Sequence, residues 1–176
     1  AAVLPDKAAT PDEQAESEES RFQLARSWMN LADFQTRHRA YTTAKQSAAT
    51  ALKLRRALKD GTPNNAVYRL ELASNLTTLA ELTLLEQQGR PADPKGPLAL
   101  LDEALEVASG AFLEQQGAVG TTFRAREVRN EARALRAELL ADADVPKAKA
   151  DLALVDRFLT DALAKSRDPK YRFQRG

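Results

Sequence analysis

The chain has 176 residues, with 26 Lys and Arg against 25 Asp and Glu, a formal net charge of +1, no cysteine and one histidine. That balance supplies no global field for nucleic acid or an anionic membrane, and the lack of thiols excludes disulfides, thiolate metal sites and cysteine nucleophiles. At 43% hydrophobic with 7 Gly and 8 Pro, the composition suits a single helical domain with a continuous core.

Residues 1–9 read as a flexible N-terminal segment. Thr10-Pro11-Asp12-Glu13 then supplies a hydroxyl cap, a proline whose missing N–H does no harm, and a glutamate three residues after the cap. Trp28, Leu31, Ala32 and Gln35 share one face of the helix that follows, and Arg37 to Arg39 breaks it. Tyr41, Ala44, Ala48, Ala51 and Leu58 share one face of a second helix. Alanine at 32, 44 and 51 allows two helices to cross closely, while Phe22, Trp28 and Tyr41 fill the space around the crossing.

Thr62-Pro63 marks a third helix start, with Leu72, Leu76, Leu79, Ala80 and Thr83 on its inner face. Pro91, Pro94 and Pro97 punctuate a tolerated loop. Leu101, Ala104, Leu105 and Ala108 line a fourth helix. Gly117 to Thr122 lacks the Lys-Ser/Thr ending of a phosphate loop and reads as a turn. Ala125, Val128, Ala132, Leu135 and Leu139 mark a fifth helix. Asp144 before Pro146 opens a sixth, carrying Ala148, Leu152, Val155, Leu159 and Ala162. Phe112, Phe123 and Phe158 are expected to fill gaps in the core, and residues 167–176 form a basic tail holding Tyr171 and Phe173.

Trp28, Leu31 and Ala32, followed by Ala44 and Ala51 seven residues apart, resemble a tetratricopeptide repeat. Gln35 stands where that family usually has an aromatic, and Arg39 where it usually has glycine. Leu79 and Ala80 repeat Leu31 and Ala32 in a second copy, and Ala132 occupies the slot of Leu79 in a third, weaker one. The resemblance spans roughly residues 20–165. It implies an all-α fold, with antiparallel helical hairpins stacked as a short right-handed solenoid over residues 10–166, and a concave groove that holds a peptide or partner domain. Bacterial members of this kind are often fused to kinases or other signalling modules. The resemblance also implies that Asn30 and Asn75, in near-equivalent repeat positions, face the groove, although their registers differ by one residue.

Arg126, Arg129, Arg133 and Arg136 line one flank of the fifth helix, and Glu127, Glu131 and Glu138 line the other. One reading is an arginine strip gripping acidic side chains or a peptide carboxylate. The other is an ordinary solvated flank with intrahelical ion pairs. The first reading contributes Arg126, Arg129 and Arg133 and the resemblance contributes Asn30 and Asn75, giving an expected partner-binding set directed at a protein or peptide, acidic if the arginine strip is used.

No nucleophile with an adjacent base is visible. His38 lies between two arginines in a turn, and Asp102, Glu103 and Glu106 read as solvated carboxylates, so neither cofactor nor metal is expected. No apolar run approaches the ~18 residues of a membrane span. A start at Ala1 rather than Met suggests that an upstream portion was removed, either a signal peptide or the rest of a larger polypeptide; the expected compartment is the cytoplasm, or the periplasm in the signal-peptide case. The expected function is a non-catalytic interaction or scaffold module. The alternatives are an oligomerisation domain or the regulatory portion of a larger signalling protein or enzyme.

Overall fold

The computed structural model describes residues 11–87, 93–108 and 119–167. Among them are six helices and no strand: α1 (Pro11–Arg37), α2 (Tyr41–Gly61), α3 (Ala66–Glu86), α4 (Lys95–Ala108), α5 (Val119–Leu140) and α6 (Val145–Arg167). Each helix packs on its neighbour in the chain, and α3 also packs on α5. The Thr10 cap, the tail with Tyr171 and Phe173, Phe112, and residues 91 and 92 of the loop expected at 91–97 lie outside the described residues, while Lys95, Gly96 and Pro97 belong to α4 rather than to that loop.

Cross-helix bonds fix the directions. Ser47 Oγ donates to Gln35 Oε1 at 2.8 Å near one end of the α1–α2 pair, and Thr62 Oγ1 donates to Glu18 Oε1 at 3.1 Å near the other, so the two helices are antiparallel. Gln35 therefore ties the hairpin by hydrogen bonding. The α2–α3 pair is likewise antiparallel, with Asn75 Nδ2 donating to the Ala48 carbonyl and Lys45 ion-paired to Glu86 at 2.7 Å.

The core is built on small residues. Ala32, Ala44, Ala48, Ala51, Ala73, Ala80, Ala104 and Ala132 are completely buried, and Leu72, Leu76, Leu82 and Leu101 fill the spaces between them. Each of those leucines stabilises the fold by about 1.5–3 kcal/mol relative to an exposed side chain. α3 is buried on several sides, at Leu70, Leu72, Ala73, Asn75, Leu76, Thr77, Leu79, Ala80 and Leu82, because α2, α4 and α5 all pack against it. Ala66 and Leu70 of α3 cluster with Ala125 near the starts of both helices, so α3 and α5 run side by side in the same direction.

Several local expectations are corrected. Leu31 is 39% exposed, since the main packing of α1 is on α2 alone. The cap of α3 is Asn65, whose Oδ1 accepts from the Val67 and Tyr68 amides; Thr62-Pro63 instead closes α2, with Thr62 N donating to the Leu58 carbonyl. Residues 119–122 belong to α5, which shortens the loop expected there. Phe123 is exposed and pairs with half-buried Phe158 at a centroid distance of 5.9 Å. Leu152 and Leu159, expected to pack inward, are each 52% exposed, whereas Ala148 and Asp151 are buried. The Asp144 cap holds, with its Oδ1 accepting from Lys147 N at 3.1 Å.

Arg39 is the only non-glycine residue with positive φ among those described, at 57°. Arg39 N donates to the Thr36 carbonyl and Ala40 N to the Gln35 carbonyl, both at 2.9 Å, the bonding of a left-handed helix stop that glycine ordinarily fills. Arg39→Gly should therefore stabilise the fold by about 0.5–1 kcal/mol, the relief of left-handed strain exceeding the added chain entropy of glycine. Urea denaturation of the two proteins measures the difference.

Candidate functional site

A groove of about 350 Å³ runs between α3 and α5, lined by Ser74, Thr77, Thr78 and Glu81 on one wall and Glu131, Ala134, Leu135 and Glu138 on the other. The threonine hydroxyls are committed to their own helix: Thr77 Oγ1 donates to the Ala73 carbonyl and Thr78 Oγ1 to the Ser74 carbonyl, each at 3.1 Å. That leaves the carboxylates as the groove's dominant polar chemistry. Desolvation by the surrounding protein raises the Glu131 pKa above the usual glutamate value, with the negative charges of Glu127 and Glu81 adding to the shift against the opposing pull of Arg124.

None of the expected arginines lines this groove. The apolar face of α5 lies between its two charged flanks, and Arg136 marks which neighbours the arginine flank meets. Its guanidinium donates from Nε and Nη2 to both carboxylate oxygens of Asp151 on α6, at 2.8 and 2.7 Å, and from Nη1 to Asp102 on α4 at 2.5 Å. The clamp holds the arginine flank of α5 against α4 and α6, and the glutamate flank, on the other side of the buried apolar stripe, faces α3. Hydrogen bonding to Asp151, then to Asp102, raises the Arg136 pKa further above its already high ordinary value.

The other expected contact residues are dispersed. Arg126 is exposed and Arg129 half-buried. Arg133 is half-buried, donating to Asn130 Oδ1 at 3.3 Å, and its pKa is lowered by burial and then by Arg129 and Arg136. Asn30 is exposed on α1. Asn75 has no exposed surface and serves as a strut between α3 and α2, which removes it from any surface open to a partner.

Two charged clusters escaped the sequence reading. Arg55 is 4% exposed; its Nη1 donates to the Glu71 carbonyl at 2.7 Å and its Nη2 pairs with the Glu71 carboxylate. Burial lowers its pKa, against the opposing pull of Glu71. The signal was its place between Ala51 and Leu58 on the buried stripe of α2, and Asp151 has the same signal beside Ala148. Asp102 and Glu103, expected to be solvated, bind Arg136 and Arg56 respectively.

Among the described residues, no group of three or more His, Cys, Asp or Glu side chains could hold a metal ion, and no helix is long and apolar enough to cross a membrane. In comparison with known proteins, no family model, curated protein or solved structure matches the chain.

The clamp predicts asymmetric costs. Arg136→Leu should destabilise the fold by about 3 kcal/mol, because Asp151, whose side chain is 5% exposed, then stays buried without its partner. The double variant R136L/D151L should recover most of that loss, as read by urea denaturation of the two single variants and the double.

Proposed function

We propose that this chain is a non-catalytic protein-interaction module of tetratricopeptide-like design, in which the α3–α5 groove receives a cationic segment of a partner protein. The order of helix packing supports the reading. Successive antiparallel pairs with α3 beside α5 are what stacked hairpins require, and stacked hairpins expose their first helices to a partner. The carrying observation is that Glu81, Glu131 and Glu138 converge on one groove, opposite in sign to the partner surface anticipated from the arginine flank.

A lysine or arginine side chain entering the groove would relieve the like-charge crowding at Glu131 and favour its ionised form. Glu81, Glu131 and Glu138 supply the charge, and Leu135 and Ala134 provide apolar floor for an aliphatic stem. The site selects by shape and sign, without a reacting group.

Fluorescence anisotropy with Lys/Arg-rich and Asp/Glu-rich peptide pools tests this. The cationic pool should bind, binding should weaken with salt, and E131Q/E138Q should reduce affinity by about tenfold, from about 0.5–1 kcal/mol per exposed charge pair. Preference for the acidic pool, or affinity unchanged in the double variant, would contradict the proposal and return attention to Arg126, Arg129 and Arg133.

A further inference from the structure

The outer row of α6 has a composition that the groove does not use. Val145, Leu152 and Leu159 recur at seven-residue steps and are 44%, 52% and 52% exposed. At 1.5 Å per residue they form a stripe of about 21 Å. Lys149 and Asp156 lie along one side of that stripe, both exposed and neither in an ion pair among the described residues. The neighbouring face of α6 is already used: Ala148 joins Ala137 and Leu140 of α5 in a buried cluster, and Asp151 is held by Arg136.

From this pattern we propose that α6 pairs antiparallel with α6 of a second copy of the chain, about a two-fold axis passing beside Leu152. The row is self-complementary in that arrangement and in no parallel one. With Leu152 facing its own copy, Val145 faces Leu159 of the second copy at both ends, because 145 and 159 are equally far from 152. Lys149 then lies within one residue, about 1.5 Å along the axis, of Asp156 of the second copy, and symmetry makes that ion pair twice. Parallel pairing sets the Lys149 and Asp156 edges of the two copies on opposite sides of the seam, so it makes no such ion pair. A contact of this length is small, so the dimer forms by concentration-dependent association.

Sedimentation equilibrium of the full chain, from micromolar to millimolar concentration, provides the test. The wild-type protein should pass from monomer to dimer. Leu152→Glu should weaken association at least tenfold with an unchanged far-ultraviolet helical spectrum, since residue 152 is already half in solvent. Lys149→Asp and Asp156→Lys should each abolish self-association, while an equimolar mixture of the two variants should dimerise again, because each mixed pair then sets aspartate against lysine. A wild-type monomer throughout, a dimer indifferent to L152E, or a mixture no better than its components would overturn the proposal. None of these outcomes depends on whether the α3–α5 groove binds a cationic segment.

Discussion

Close approach of helices across fully buried alanines is the constraint on which this molecule rests. Side chains no larger than a methyl group at Ala32, Ala44, Ala48, Ala73, Ala80, Ala104 and Ala132 let neighbouring backbones come near enough for large residues such as Leu72, Leu76 and Leu101 to close the remaining space. The same proximity lets a side chain on one helix reach the backbone of the next. Asn75 meets the Ala48 carbonyl and Arg55 meets the Glu71 carbonyl only because α2 and α3 lie so close. Hydrogen bonding here follows from small-residue packing and then fixes its register.

Rotation of α5 is set by its apolar stripe, with Ala125, Val128 and Ala132 buried between the two charged flanks. The flanks lie on opposite sides of that stripe, so exchanging them at α3 would take about half a turn and expose it. Arg136, bridging Asp102 and Asp151, then joins the arginine flank to α4 and α6 through directional donors. The glutamate flank is the one that borders α3.

Much of the helical layout was legible from the 3- and 4-residue spacing of apolar residues and from the prolines and caps. Ala44, Ala48, Ala51, Leu72, Leu76, Ala80, Leu101 and Ala104 all fall where that spacing places them. What escaped was interhelical. The Asn75 strut, the Arg55–Glu71 pair and the Arg136 clamp each join residues from separate helices, and no periodicity within one helix encodes them. The arginine and glutamate flanks of α5 were both visible, yet which one borders the groove depends on how α5 sits among α3, α4 and α6. Leu152 and Leu159 have a core-like period but face outward, because α6 turns Asp151 toward Arg136.

Stability of two leucine substitutions within α2 tests the central constraint most directly. Ala48 is completely buried and Ala57 exposed on the same helix, so helix propensity is matched and only the crossing differs. Urea denaturation should find Ala48→Leu destabilising by about 1–3 kcal/mol, from overpacking where backbones meet, and Ala57→Leu within about 0.5 kcal/mol of wild type. Equal stability of the two variants would contradict the account, since it would mean that the helices do not need small residues where they cross.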